Sequence, residues 1–240
     1  MIRIENLTKR FGKFVAVDSL SLHVKPGEVF ALLGPNGSGK TTTLKTIVGL
    51  NLPTAGRVIV AGLDAVKDAQ AARAIISYLP QRANFPERLY AREILTFYAK
   101  LRNLAPQAWK QSGAQAAIDG FSEKTVGELS GGMAQRLGLA VLAMPDAPLL
   151  ILDEPTANLD PQGVKQFRDF VLEQKSRGKT ILFSTHLLAE AETLADRVGI
   201  FVGGRLRAVE SVATLHDTVL QYQTLEDVYL HYVESQNSCP

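Results

Sequence analysis

A short apolar run followed by a glycine-rich loop restricts the possible folds of this chain more than any other feature of its sequence. The run covers residues 28–33, and two spaced glycines, a lysine and a threonine follow it before a pattern typical of a helix. A strand, loop and helix in this order direct backbone amides and the helix N-terminus at bound phosphate oxygens. The residues of this predicted phosphate site are Gly34, Pro35, Asn36, Gly37, Ser38, Gly39, Lys40, Thr41 and Thr42.

Two side chains of this loop indicate what accompanies the phosphates. Lys40 adds a full positive charge near the β and γ phosphates of a nucleotide. Thr41 offers a hydroxyl to Mg²⁺, a hard cation that prefers oxygen ligands and shares its coordination shell with phosphates. The expected ligand is therefore a magnesium nucleotide, which kinases, GTPases, motor proteins and transport ATPases all bind.

Two carboxylates follow a second apolar run, at residues 149–152. Asp153 and Glu154 are expected at the carboxyl end of a buried strand, where α/β proteins place their ligands. Asp153 would complete the Mg²⁺ shell, and Glu154 would orient and deprotonate the water that attacks the γ phosphate. The alternative is an ordinary pair of acids in surface salt bridges.

A second glycine-rich turn, Ser130-Gly131-Gly132-Met133, precedes another predicted helix about 20 residues before Asp153. Its serine and amides could also bind phosphate oxygens, although one nucleotide hardly needs two such cradles from one chain. Taken alone, Ser-Gly-Gly at this place is more often a helix N-cap.

Together these segments resemble the ATP-binding subunit of ABC transporters over almost the whole chain. The glycine turn is similar to the ABC signature motif, which in that family closes on the nucleotide held by the opposite subunit. The resemblance implies a head-to-tail dimer around two Mg-ATP molecules, formed with a second copy of the chain or with a homologous ATPase subunit.

The resemblance assigns further residues. Gln81 is similar to the Q-loop glutamine, which contacts Mg²⁺ or the attacking water, and His186 to the switch histidine beside the γ phosphate. Asn158 and Asp160 correspond to the loop that connects the two sites, and Phe11 to the aromatic residue that stacks on adenine. The implied catalytic set is Glu154, His186, Gln81 and Lys40.

Each of these residues also has an ordinary structural explanation. Asp160 precedes Pro161 and is a good helix N-cap, Phe11 could belong to the core, and Gln81 could be an exposed glutamine. The chain departs from the family pattern at Met133, Asn158 and Phe11, which puts fine interface contacts in doubt but not the class.

The predicted fold is α/β: a P-loop NTPase core with a mainly parallel sheet, an N-terminal antiparallel β subdomain and an inserted helical lobe. Strands are expected at 2–4, 14–17 and 20–24, and a weak second helix of the lobe is expected to run to about residue 118. Residues 1–240 are interpreted as one ABC nucleotide-binding domain, with the lobe at about 84–143, ending in the signature helix, and a short C-terminal extension at 205–240.

Composition restricts location and partners. A net charge of +2 gives no general attraction to nucleic acid, and the only cysteine, Cys239, excludes an intrachain disulfide. We identify neither a secretory signal nor a run near the 20 apolar residues that a spanning helix needs. Membrane work would therefore need a separate integral membrane subunit, with this chain on its cytoplasmic face.

By the family resemblance, that subunit would contact the groove beside Gln81, and the candidate contacts are Phe85, Pro86 and Tyr90, which could instead pack within the lobe. The short lobe and a terminal segment at residues 225–228 resemble exporter ATPases of the multidrug, polysaccharide and copper-enzyme-assembly kind.

Three other classes of protein remain as alternatives at this point. An ATP-gated regulatory module of ABC type could dimerise without moving a substrate, although Glu154 favours turnover. ABC proteins of translation and DNA repair usually carry two such domains or a long coiled coil, and neither is present. A GTPase or a small-molecule kinase is less favoured, because the chain has no Asn-Lys-x-Asp motif and neither class would explain the glycine turn at residues 130–133.

Overall fold

Two β-sheets dominate the computed structural model, which describes residues 1–110, 114–157, 159–213 and 225–234. The strands are β1 Ile2–Phe11, β2 Phe14–Val24, β3 Val29–Leu33, β4 Ala55–Val60, β5 Leu63–Asp64, β6 Ile76–Leu79, β7 Leu149–Asp153, β8 Thr180–Thr185, β9 Arg197–Val202 and β10 Arg205–Ser211. An antiparallel sheet has the order β2-β1-β4-β5, and a larger sheet has the order β10-β9-β3-β8-β7-β6. Every pairing in the larger sheet is parallel except β9 with β10. The predicted α/β class, with its antiparallel N-terminal sheet and mainly parallel core sheet, is confirmed.

The N-terminal sheet differs from the short strands expected there. Residues 2–24 form two long paired strands, and their ladder is interrupted by register shifts between Ile4 and Arg10. Asn6 and Ser19 both have positive φ angles, 46° and 51°. Irregularities of this kind let a strand continue while its inward and outward alternation is broken. The apolar pattern therefore predicts separate short segments, although each strand continues through the irregularities.

The central strand β3 separates two hydrophobic cores. Val29, Ala31 and Leu33 belong to the core on one face of the large sheet, while Phe30 and Leu32 belong to the core on the other. Successive strand side chains point to opposite faces, so a strand buried on both faces has a continuous apolar sequence. The second of these cores also contains residues of the N-terminal sheet, which covers that face.

Eight helices are assigned within the described residues: α1 Lys40–Ile47, α2 Ala69–Ala74, α3 Ala91–Leu101, α4 Ala114–Ala117, α5 Gly131–Ala143, α6 Pro161–Ser176, α7 Leu188–Leu194 and α8 Leu225–Glu234. None of them is long and apolar enough to cross a membrane. Helix α1 packs between the two sheets, and α6, α7 and α8 pack on the opposite face of the large sheet.

Helices α3, α4 and α5 build a lobe with a third core of its own. Ala91, Ile94, Leu95 and Ala99 form the buried face of α3, at the three- and four-residue spacing of an amphipathic helix. The second helix expected to reach residue 118 is only the four-residue α4, and residues 111–113 before it lie outside the described part of the chain.

Candidate active site

The order of the strands brings the predicted site residues to one edge of the large sheet. Strands β3, β8, β7 and β6 are neighbours in that order and are parallel, so their carboxyl ends lie side by side. The glycine loop follows β3, His186 follows β8, Asp153 ends β7, and Gln81 follows β6 by two residues. The pairs Leu33 with Thr185 and Asp153 with Ser184 fix the relative heights of three of these ends.

Two glycines of the loop are required by its close packing. The backbone of Gly39 has a φ of 107°, and a Cβ placed there would lie 2.4 Å from the carbonyl oxygen of Ala16. A Cβ on Gly34 would lie 2.1 Å from the carbonyl oxygen of Phe201. Both distances are far below van der Waals contact, so the loop reaches this conformation only with glycine at these positions.

The ammonium group of Lys40 is buried and fully coordinated. It donates to the carbonyl oxygens of Gly34 at 2.7 Å and Pro35 at 3.1 Å. Its third contact is an ion pair of 3.1 Å with Oε1 of Glu154. Because an ammonium has three donors, these contacts fix the side chain across the mouth of the loop.

A cleft of 390 Å³ lies over the loop. It contains most of the predicted phosphate site and three of the four predicted catalytic residues. Its lining is Phe14, Ala16, Asn36, Gly37, Ser38, Gly39, Lys40, Thr41, Thr42, Gln81 and Glu154. Gly34 and Pro35 contribute the two carbonyls below it that hold Lys40. The cleft therefore gathers the loop, Gln81 and Glu154 around one space.

Asp153 lies in a network of hydroxyl groups. Its Oδ1 accepts from Thr41 Oγ1 at 2.9 Å and from Ser184 Oγ at 2.7 Å. Burial raises the pKa of Asp153 above its usual range, and the two hydroxyl donors only partly offset that effect. A cation placed beside this carboxylate would compensate the same cost.

The oxygen donors of Thr41 and Asp153 fit Mg²⁺. This ion is usually held by one or two protein oxygens together with substrate phosphates, rather than by a dedicated protein cage. Within the described residues no group of three or more His, Cys, Asp or Glu side chains could hold a metal alone. The pair is therefore the kind of partial site that magnesium nucleotides require.

Glu154 contacts different partners. Its Oε2 lies 2.7 Å from Nδ1 of His186, its Oε1 pairs with Lys40, and its backbone N–H donates to Ser184 Oγ at 2.9 Å. Its φ of 46° is unusual for a residue with a Cβ. Such a backbone costs about 1–3 kcal/mol and persists only where surrounding contacts enforce it.

Ser130 caps helix α5, since its Oγ accepts from the N–H of Met133 at 3.3 Å. Ser130 and Gly131 are exposed, whereas Met133 packs against the core of the lobe. Gly131 also lines a second cleft of 260 Å³ together with Gln81 and Glu154. The structural explanation of Ser130 holds, and contact between this turn and a second subunit stays a prediction.

Asp160 caps helix α6, with Oδ1 accepting from the N–H of Gly163 at 2.7 Å and Pro161 at the first helical position. The capping explanation of Asp160 is therefore confirmed, and its role between subunits stays a prediction. Asn158 lies outside the described residues.

The two aromatic residues of the first hairpin are paired across β1 and β2, Phe11 opposite Phe14. Phe11 is 49% exposed, so it is not a core residue, and the ammonium of Lys9 lies 4.9 Å from its ring centroid. Phe14 is 64% exposed and lines the cleft over the loop, which Phe11 does not. Phe14 has no motif that marks it in the sequence, and only its place in the same hairpin as Phe11 could have indicated it.

The three residues proposed for contact with a membrane subunit have different surroundings. Phe85 packs edge-on against Tyr98 with ring centroids 5.8 Å apart, which supports the alternative of internal packing. Pro86 and Tyr90 are exposed, and the guanidinium of Arg92 lies 4.7 Å from the Tyr90 ring centroid. Phe97, half exposed on α3, is a further apolar residue that the motifs did not indicate.

Comparisons with known proteins agree with this arrangement. The family model for ABC transporters matches residues 17–157. The Nod factor export ATP-binding protein I of Burkholderia orbicola is 40% identical over 208 residues, which cover 85% of this chain and 68% of that protein. The daunorubicin resistance ATP-binding protein DrrA3 of Streptomyces coeruleorubidus is 38% identical over 212 residues, covering 86% and 67%.

Solved structures give the same result. The ATP-binding subunit of an ABC transporter superimposes with a TM-score of 0.87 at 27% identity, covering 96% of this chain and 98% of that one. A dimeric ATP-binding cassette bound to ADP and Pi has the same fold, with a TM-score of 0.80 at 24% identity over 88% and 99% of the two chains. The strand-end site, the family match over 17–157 and these relatives show that the chain belongs to the ATP-binding domains of the ABC transporter family.

Proposed function

We propose that this chain binds and hydrolyses Mg-ATP. One observation carries the proposal: the two adjacent carboxylates at the end of β7 have separate partners. Asp153 accepts from Thr41, whereas Glu154 contacts His186 and Lys40. Hydrolysis of a phosphoanhydride needs this division, because one carboxylate helps to hold the cation and the other must accept a proton from water.

The chain's own groups would then act as follows. Lys40 exchanges its ion pair with Glu154 for the β and γ phosphates, and backbone N–H groups of the loop surround them. Thr41, Asp153 and Gln81 would hold Mg²⁺, which supplies charge that neutralises phosphate oxygens. Glu154 orients the attacking water and accepts its proton, and His186 steadies Glu154 and the γ phosphate from the next strand end.

Substituting the two charged residues tests this assignment. Glu154→Gln keeps the size of the side chain but removes the base, so we expect ATP binding to persist and turnover to fall by about 10²-fold or more. Lys40→Ala should weaken nucleotide binding itself, because phosphate charge is left uncompensated. Glu173→Gln, at an exposed surface ion pair, is the matched control. Near-normal hydrolysis in Glu154→Gln would refute the proposal.

Adenine recognition is assigned to Phe11, with Phe14 as the rival raised by the cleft lining. The two single alanine variants separate them in a titration with ATP and with inorganic triphosphate. The variant that lacks the stacking ring should lose affinity for ATP but not for inorganic triphosphate, because stacking involves only the base. Equal losses for both ligands would mean that neither ring contacts the base.

We further propose a head-to-tail dimer in which Ser130, Gly131, Gly132 and Met133 of one subunit contact the ATP held by the loop of the other. Asn158 and Asp160 would lie near that interface. The exposure of Ser130 and Gly131 at the N-terminus of α5 supports this arrangement. The partner is a second copy or a homologous ATPase subunit.

A mixing experiment tests the dimer. Lys40→Ala damages the phosphate loop and leaves the glycine turn intact, whereas Ser130→Glu damages the turn and leaves the loop intact. Each variant alone should therefore be inactive. Mixed, they form one complete site per heterodimer only if the two motifs come from different subunits. Recovery of part of the wild-type ATPase activity is the expected result, and no recovery would place both motifs of a site in the same subunit.

The work done by hydrolysis is proposed to be transport through separate integral membrane subunits, with this chain at their cytoplasmic face. Relatives are named for export and drug resistance, which favours export. Exposed Pro86 and Tyr90, with Phe85 beside them, are the proposed contacts. Co-purified membrane subunit should stimulate the ATPase, and Tyr90→Ala should reduce that stimulation. An ATPase unaffected by its co-purified membrane subunit would contradict coupling.

A further inference from the structure

Side chains from two helices form hydrogen bonds with the segment directly after Glu154. Oγ1 of Thr156 donates to Oε2 of Glu190 on α7 at 2.6 Å, and both side chains are buried. The carbonyl oxygen of the intervening Pro155 accepts from the amide of Gln135 on α5. Neither Glu190 nor Gln135 belongs to the predicted catalytic set.

The surroundings of Glu190 are poor for a carboxylate. Only 3% of the residue is exposed, and its Oε1 has no hydrogen-bond partner within the described part of the chain. Burial raises its pKa, and the hydrogen bond from Thr156 and the charge of Arg168 only partly compensate. An apolar side chain of similar size would cost less here, so stability alone does not explain a glutamate at this position.

Glu190 is well placed to act on the catalytic residues. It follows His186 by four residues, and α7 begins two residues after that histidine. Its partner Thr156 follows Glu154 by two residues. The bond between them therefore closes a loop that includes the direct contact from Glu154 Oε2 to His186 Nδ1.

The hydrogen bond between Thr156 and Glu190 helps to explain how the strained backbone of Glu154 is maintained. Ser184 holds the residue through its N–H on the strand side, and Thr156 is the hydroxyl anchor on the other side. A positive φ at a residue with a Cβ persists only where surrounding contacts enforce it, and Thr156 adds one such contact to that of Ser184. Without this anchor, the direction of the carboxylate would depend on its contacts with Lys40 and His186 and on the hydrogen bond from the Ala157 N–H to the Glu154 carbonyl.

We propose that Thr156 and Glu190 form a positioning pair that holds the Glu154 carboxylate in register with His186 during ATP hydrolysis. The inference rests on the proposed ATPase function and adds two residues to it. Both act through Glu154 and His186, so neither is itself catalytic. Their loss should lower kcat and leave the binding of ATP, which depends on the glycine loop, nearly unchanged.

Isosteric variants of the full chain test the pair in a Mg-ATPase assay. Thr156→Val removes the hydroxyl at constant shape and should lower kcat about 10-fold or more, since small misplacements of catalytic groups are that costly. The KM for ATP should stay within about 2-fold. Thr156→Ser restores the donor and should recover most of the rate. Glu192→Ala, on the same helix, is the control and should behave as wild type.

Glu190 is tested from the other side of the bond, which also covers a failure of Thr156→Val to fold. Glu190→Ala removes the acceptor and should reproduce the loss, whereas Glu190→Gln keeps an acceptor oxygen and should retain most of kcat. The double variant of Thr156→Val with Glu190→Ala should be no slower than either single variant, because residues that act as a unit are not additive.

A double-mutant cycle with Glu154→Gln separates positioning from damage to the fold. Where the base is absent its direction is irrelevant, so Thr156→Val should cause little further loss in that background. A further loss of about 10-fold there, a kcat of Thr156→Val within about 2-fold of wild type, or failure of Thr156→Ser to recover would each overturn the proposal. These outcomes presuppose an active wild-type protein, whereas failure of the proposed function would appear as equal rates for wild type and Glu154→Gln.

Discussion

The hydroxyl of Ser184 makes two hydrogen bonds that a Ser184→Ala substitution would remove together. It donates to the buried carboxylate of Asp153 at 2.7 Å and accepts from the N–H of Glu154 at 2.9 Å. A hydrogen bond to a charged group contributes about 1.5–3 kcal/mol, and an unpaired buried amide costs about 1–3 kcal/mol. Because one hydroxyl serves both bonds, we expect the free energy of unfolding to fall by about 3 kcal/mol rather than by the full sum.

Ser77 provides a matched control in the same sheet. It is 1% exposed on β6, and its Oγ has no hydrogen-bond partner among the described residues. Removing an unpaired buried hydroxyl relieves a cost of about 1–3 kcal/mol, so Ser77→Ala should be neutral or stabilising. Urea unfolding followed by circular dichroism measures both variants, as shifts in midpoint at constant slope. Equal destabilisation by the two substitutions would refute the reasoning, because burial and residue type are the same and only the hydrogen bonds differ.

Three further substitutions have outcomes set by local geometry. Gly39→Ala, whose Cβ would lie 2.4 Å from the Ala16 carbonyl oxygen, should lower nucleotide affinity about 10-fold or more, measured by titration with a fluorescent ATP analogue. Asp160→Ala removes the cap on Gly163 and should cost about 1 kcal/mol in thermal unfolding, whereas Asp160→Asn, which also caps, should retain most of it. Burial raises the pKa of Glu190 above its ordinary value of 4.5, so its contribution to stability is complete below that pH and is lost as the pH rises through the folded-state pKa. The unfolding free energy of Glu190→Gln relative to wild type should therefore increase from pH 4 to pH 7, and a constant difference would contradict the assignment.

The parts of the site that lie within one segment could be predicted from the sequence. Residues 34–42 follow local rules, because the glycine spacing, the lysine and the start of α1 all depend on neighbours in the chain. The position of Asp153 was predictable for the same reason, since a fully apolar strand ends there. Phe11 and Phe14 show the limit of this approach: the family resemblance assigned Phe11 to the adenine, whereas the ring that lines the cleft over the loop is that of Phe14.

Contacts between distant segments could not be predicted in this way. Ser184 lies 31 positions from Asp153, and Glu190 lies 34 positions from Thr156. A serine in a buried strand and a glutamate on a short helix carry no local sign of these partners. They become informative only once the alignment of β7 with β8 is known, which depends on packing across the whole sheet.

Strand alignment also explains why the predicted catalytic side chains lie so close to one another. Neighbouring strands lie about 4.8 Å apart, so side chains at adjacent strand ends can reach hydrogen-bond distance of one another. Asp153 is opposite Ser184 in that alignment, and His186 follows two residues later, with its Nδ1 2.7 Å from Oε2 of Glu154. A shift of one residue would turn every β8 side chain to the opposite face. The apolar residues of β8, which are buried in the two cores, therefore hold the alignment on which the predicted catalytic site depends. Core substitutions in β8 should therefore reduce ATP turnover even where no active-site atom is changed.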